Sequence, residues 1–260
     1  MKLFTAFLAF GALLFTVSFT SAAEKVDLFN GKNLDGWYKF IRNRGKDADP
    51  NNVFSVQNGM IRVSGEEWGC ITTEKSFENY KITVEFKWGE KTWGNRKDKA
   101  RDSGLLIHSF GKDGGFGGIW MLSVEANIVE GGIGDFWIVG GKNDGVSGTC
   151  KCTVRPDGKI YDPVNGKPIT ITKNSEGFFG WTKRDPNFKD VLNFRGKNDL
   201  DRPDGWNTLS VAAKGDTMEV FHNGEKVNEI FGLKQTSGKI QLQSEGAEIF
   251  FRKITLEPLD

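Results

Sequence analysis

Nine consecutive residues, Tyr80 to Trp88 ("YKITVEFKW"), set Ile82, Val84, Phe86 and Trp88 against Lys81, Thr83, Glu85 and Lys87 in strict alternation. Successive side chains of a strand point to opposite faces, so this stretch buries one face and wets the other only as β-structure. The same period returns in "VFSVQNGMIRV", "WNTLSVAA", "TMEVFHNGEKV", "GKIQLQ" and "AEIFFRKITLEPL". Asn58-Gly59 and Asn223-Gly224 interrupt two of these runs, and such pairs tolerate the positive φ of a tight hairpin. In the last run the apolar parity shifts between Phe251 and Ile254, as a bulge near Arg252 would cause. No long segment carries a 3.6-residue apolar stripe. The 33 glycines, 21 phenylalanines and 8 tryptophans also suit pleated sheets better than helices. The expected fold is all-β, an antiparallel β-sandwich of two sheets.

A chain of 260 residues is the size of one large domain, and a formal net charge of +1 gives no general pull toward nucleic acid. Residues 1–23 read as a signal peptide: Lys2, an apolar run from Leu3 to Phe19, then small residues up to Ala23. The run is short for a membrane span, so the expected mature chain is exported, periplasmic or secreted, with no membrane insertion. Residues 24–260 then form a single domain. Within it, residues 140–205 are rich in Gly, Asn, Asp, Pro and Lys, with short candidate strands ("TCKCTV", "KPITIT"). They read as a long loop insertion folded over one face of the sandwich. In an oxidising compartment Cys70 would bridge to Cys150 or Cys152, leaving one thiol over.

The chemistry gathers in "VEANIVEGGIGD", Val124 to Asp135. Val124, Ala126 and Ile128 point to the core, and Glu125 and Asn127 point the other way. Strict alternation would bury Glu130 beside Ile128, which is costly for an unpaired charge. Either a bulge at Val129 returns Glu130 to the Glu125 face, or the strand ends and the glycine turn folds Glu130 and Asp135 back over it. In "KIQLQSEGAE", Gln241, Gln243 and Glu245 alternate with apolar residues. Taken alone that strand reads as a solvated face. Amide and carboxylate groups recurring every second residue would also suit a hydroxyl-rich ligand. Arg101 has the planar fork to hold a carboxylate or an oxyanion. His108 lies within an apolar strand, where a packed histidine with one backbone partner is the ordinary outcome.

The motifs "LFNGKNLDGW", "FSVQNGMIRV", "YKITVEFKW", "DSGLLIH", "SVEANIVEGGIGDFWIVG", "GWNTLSVAAKGD" and "SGKIQLQSEGAEIFFRKITLEPL" occur in the order found in one family. The chain resembles the domain of unknown function 1080 family, described as 3-keto-disaccharide hydrolases or 3-keto-glucoside lyases/hydratases. That resemblance implies a concanavalin A-like jelly-roll sandwich and a small carbohydrate substrate already oxidised at C3. It also implies cleavage by C2 proton abstraction, elimination and hydration. Two departures stand out: Glu125-Ala126-Asn127 where the family commonly reads Glu-x-Gln, and Asp102-Ser103-Gly104 where it reads Asn-Ser-Gly. On this reading Glu125 is the base, with Glu130 or Asp135 as the acid or as a metal ligand. Arg101 and His108 lie at the oxyanion, and Asn127, Gln243 and Glu245 bind substrate. No cofactor is certain, and a divalent metal (Mg, Ca or Mn) held by these carboxylates stays open. Two alternatives remain. One is a retaining glycoside hydrolase of laminarinase type, suggested by the Glu-x-Asp-x-x-Glu-like spacing of Glu125 and Glu130. The other is a non-catalytic carbohydrate-binding module.

Overall fold

Tyr80–Thr92 forms a 13-residue strand in which Ile82, Val84, Phe86 and Trp88 are buried, as the alternation requires. This computed structural model describes residues 24–260; the expected signal peptide lies outside the described residues. Among the described residues the strands form an 8-stranded and a 12-stranded sheet. In the first, Tyr80–Thr92 pairs antiparallel with Asn207–Lys214 on one side and Ala247–Pro258 on the other. Register slips between Phe251 and Lys253, where the parity shift places the bulge. Both expected hairpins form, with Asn58 and Gly59 at φ of 51° and 74°, and Asn223 and Gly224 at 49° and 89°.

The second sheet runs outward from a central strand, Asp102–Phe110. Leu122–Val129 and then Phe136–Val139 flank it on one side; Ser237–Ser244, Gly69–Thr73 and Trp37–Ile41 flank it on the other. Leu105, Ile107, Val124, Ala126, Ile128, Ile240 and Leu242 project from this sheet into one core with Ile82, Val84, Phe86 and Trp88. A separate, smaller cluster of Cys70, Leu106, Trp120 and Val139 lies on the sheet's other face. The second sheet is therefore covered on both sides at its centre, so its outer face is not a plain solvated surface.

Residues 140–205 do more than loop over a face. Gly148–Arg155, Gly158–Tyr161, Lys167–Ile171 and Phe178–Gly180 extend the second sheet beyond Phe136–Val139. Gly158–Tyr161 and Phe178–Gly180 form one parallel pairing in an otherwise antiparallel architecture. Phe179 and Trp181 of "EGFFGW" are core residues. The expected disulfide does not form. All three thiols are free and buried, with Cys70 in the outer cluster and Cys150 and Cys152 in the inter-sheet core, on opposite sides of the sheet. His222, next to the Asn223-Gly224 turn, is buried.

Candidate functional site

The outer face of the second sheet carries a hollow of about 280 Å³. Its floor follows from strand register. Asn127 lies opposite Gly104, and Glu125 opposite Leu106 on one side and Trp137 on the other. Gln241 faces Leu106 from the far side, so Gln243, two residues on, shares that face. A Cβ on Gly104 would sit 2.3 Å from both Glu125 Oε1 and Gln243 Oε1. The carboxyl and the amide thus converge over the one floor position that has no side chain. Trp68, Trp120, Phe116, Trp137 and Asn174 form the walls; Trp68 and Trp120 lean together with ring centroids 6.3 Å apart.

Three carboxyls meet here: Asp102, Glu125 and Glu245. Burial pushes Glu125 well above the usual carboxylate range, and the neighbouring Asp102 adds to this against the opposing pull of the Gln243 amide. Glu245 is raised by burial and by Asp102 and Glu125. Asp102 is raised to about 7, mainly by burial, with Arg96 working against the rise. Arg96 Nη2 binds the Asp102 carboxyl at 2.7 Å. Near neutral pH the cluster therefore retains protons. Asp102 is the member in direct contact with an arginine, so the trio can hold a charged and a protonated carboxyl side by side.

The remaining sequence candidates divide sharply. Asn127, Gln243 and Glu245 line the hollow with Glu125. Glu130 does not reach it. The Val129 bulge is absent, since pairing with Asp102–Phe110 runs unbroken from Val124 to Val129. Alternation holds, Glu130 is buried, and Arg101 resolves the cost. Arg101 Nη2 lies 2.5 Å from Glu130 Oε1, and the backbone N–H groups of Arg101 and Asn193 donate to Oε2 at 2.9 and 3.2 Å. Arg101 is correspondingly spent on Glu130 and the Gly89 carbonyl, away from the hollow. Asp135 accepts from the Trp181 N–H at 2.8 Å and lies 3.1 Å from Arg184 Nε, bordering a neighbouring hollow. His108 adopts a φ of 52°. Its ring packs edge-on against Tyr80 in the inter-sheet core, and Nδ1 lies 3.1 Å from the Gln235 carbonyl. Register slips on either side of this residue, so the irregularity turns its side chain off the outer face.

Asp102, Arg96, Trp68, Trp120 and Asn174 were not among the sequence candidates. Asp102 had a usable signal, standing two residues before Gly104 on a strand and so on the same face. Among the described residues no group of three or more His, Cys, Asp or Glu is placed to hold a metal ion. No helix among them is long and apolar enough to cross a membrane.

Solved structures share the architecture. A "putative glycosyl hydrolase" from Parabacteroides distasonis is similar at 19% identity and a TM-score of 0.52, over 91% of this chain and 94% of that one. A Bacillus subtilis protein of unknown function with a galectin-like fold is similar at 9% identity and a TM-score of 0.50, over 91% and 96%. The fold is thus the jelly-roll sandwich expected from the sequence. No curated protein sequence matches the chain. The family model of the 3-keto-alpha-glucoside-1,2-lyase-like domain matches residues 24–257, nearly the whole described chain. The chain belongs to the 3-keto-alpha-glucoside-1,2-lyase-like family.

Proposed function

We propose that the protein cleaves glycosides whose sugar carries a ketone at C3. The observation that carries this reading is a buried carboxyl trio with one arginine partner, inside an aromatic-walled hollow of sugar size. A C3 ketone acidifies the C2 hydrogen. Asp102, ionised with help from Arg96, removes that proton, and the electron pair forms the C1–C2 double bond as the C1–O bond breaks. Glu125 donates its proton to the departing oxygen. Water then adds across the double bond, hydroxyl to C1 and hydrogen to C2, so the net change is hydrolysis. Gln243, Asn127 and Glu245 hold hydroxyl groups, and the tryptophans take the sugar's C–H face. This reassigns the base from Glu125 to Asp102, because the group that must be charged is the one with a cationic partner. It also replaces Glu130 and Asp135 as candidate acids. The laminarinase-type alternative loses support, since its Glu125–Glu130 pair needs carboxyls about 5–5.5 Å apart across one bond. Here Glu130 is tied to Arg101 outside the hollow. The apolar run after Lys2 supports export of the chain to the periplasm or medium.

The test is turnover of a disaccharide oxidised at C3 of one ring, of its unoxidised parent, and of laminarin. Cleavage of the keto sugar alone, reduced about 100-fold or more in Glu125→Gln, is the expected result. Laminarin cleavage would restore the glycosidase reading. Sugar binding by calorimetry with no turnover would leave a binding module.

A further inference from the structure

The central strand Asp102–Phe110 carries one residue too many for both of its neighbours. It takes three steps from Ile107 to Phe110 where Leu122–Val129 takes two, and three from Leu106 to Ser109 where Ser237–Ser244 takes two. His108 absorbs the excess at a φ of 52°, a costly conformation for a residue with a side chain. Gly238 lets the next strand close over this bulge, since a Cβ there would stand 2.5 Å from the His108 carbonyl carbon. The bulge turns His108 inward and brings Ser109 directly opposite Lys239, on the outer face. Both border a hollow of about 270 Å³ that shares no residue with the one holding Glu125. We propose that this hollow binds a tetrahedral oxyanion, a phosphate or sulfate group, between the Lys239 ammonium and the hydroxyls of Ser76, Ser109 and Ser237.

Two groups here lack what burial requires. Ser109 is 1% exposed, and its Oγ has no hydrogen-bond partner. A buried hydroxyl left in that state calls for a partner from outside the chain. Lys239 is half-buried, and among the described residues its ammonium forms no salt bridge. It lies 3.4 Å from the Tyr38 hydroxyl and 4.6 Å from that ring's centroid. The Lys46 ammonium stands over the same ring at 3.8 Å. Asp113 accepts from the Tyr38 O–H at 2.9 Å, so its charge meets Lys239 only through that hydroxyl. Two ammoniums on one ring against a single carboxylate leave a positive excess, which an anion offsets. Ser76 and Ser237 also line the hollow, so three hydroxyls and an ammonium supply a donor for each oxygen of a tetrahedral ion. A neutral sugar would use the hydroxyls and leave the ammonium uncompensated. Phe110 and Met121 give an apolar wall to any organic body attached to the oxyanion.

The test is calorimetric titration of the protein with sodium phosphate, sodium sulfate, phenyl phosphate and glucose, at an ionic strength held constant with sodium chloride. Phosphate is expected to saturate one site with a Kd of about 1 mM or lower. Lys239→Met should weaken it about tenfold or more, and Ser109→Ala by roughly three- to tenfold. Thermal unfolding of the same samples checks the fold, and Lys239→Gln serves if the methionine variant does not fold. Sulfate binding that Lys239→Met also weakens marks recognition of the tetrahedral charge, and tighter binding of phenyl phosphate marks a monoester as the ligand; either supports the site. No saturation by any of the three anions overturns it, as does a phosphate Kd unchanged in Lys239→Met, which places the ion elsewhere. Glucose binding that is lost in Ser109→Ala, without phosphate binding, makes the hollow a second sugar site and overturns it too.

Discussion

Arg96 binds the Asp102 carboxyl with Nη2 at 2.7 Å and reaches Asp190 with Nη1 at 3.3 Å. Of the three neighbouring carboxyls, this guanidinium on the rim contacts only Asp102, and it also opposes the rise of Glu245. Asp102, Glu125 and Glu245 repel one another when ionised, and burial penalises every charge they carry. A proton acceptor and a proton donor can then coexist in one hollow at the same pH.

The pH profile follows from this arrangement. Asp102 must be ionised to act, and it is raised to about 7, so kcat/KM should fall as pH drops through about 7. At higher pH the profile should fall again as the proton on the Glu125 side of the cluster is lost. Both limbs belong to the coupled trio rather than to single residues. Arg96 works against the rise of Asp102, so Arg96→Gln should move the acid limb to higher pH. An unchanged acid limb in that variant would remove Asp102 from the mechanism.

Gly104→Ala should separate activity from stability. Gly104 lies in a strand outside the positive-φ region, so alanine imposes no backbone strain there. The added methyl meets the ends of two side chains, Glu125 and Gln243, which can swing away. Stability should drop by no more than about 1–3 kcal/mol, in the range of overpacked sites. Turnover of the keto sugar should fall about 100-fold or more, as the Glu125 carboxyl leaves its position. Thermal unfolding and steady-state kinetics on the same sample check both halves.

Arg101 and Glu130 make the opposite prediction. Arg101→Met leaves a buried carboxylate without its main partner, and the loss should be about 3–5 kcal/mol in urea unfolding. Arg101→Met combined with Glu130→Gln should recover part of that loss, because the second change removes the stranded charge. A double variant no more stable than the single one would show that the pair is not the source of the effect.

Much of this protein was legible in its sequence because the period of a strand is local. The alternation at Tyr80–Trp88 defined a core face, the Asn-Gly pairs located two hairpins, and the parity shift after Phe251 located a bulge. The same rule placed Glu125 and Asn127 on one face. Strict alternation also pointed Glu130 inward, but the cost of a buried charge argued for a return to the Glu125 face; the structure keeps Glu130 buried on Arg101 instead. What local period cannot carry is the identity of the neighbouring strand. The hollow exists because Asp102–Phe110 lies between Leu122–Val129 and Ser237–Ser244, which joins Glu125 to Gln243 over Gly104 across more than a hundred residues. Arg101 as the answer to Glu130, Arg96 as the answer to Asp102, and the turning of His108 away from the site are equally non-local. Pairing and burial are properties of the assembled sheets, so only the tertiary structure could divide these charged residues between the hollow and the framework.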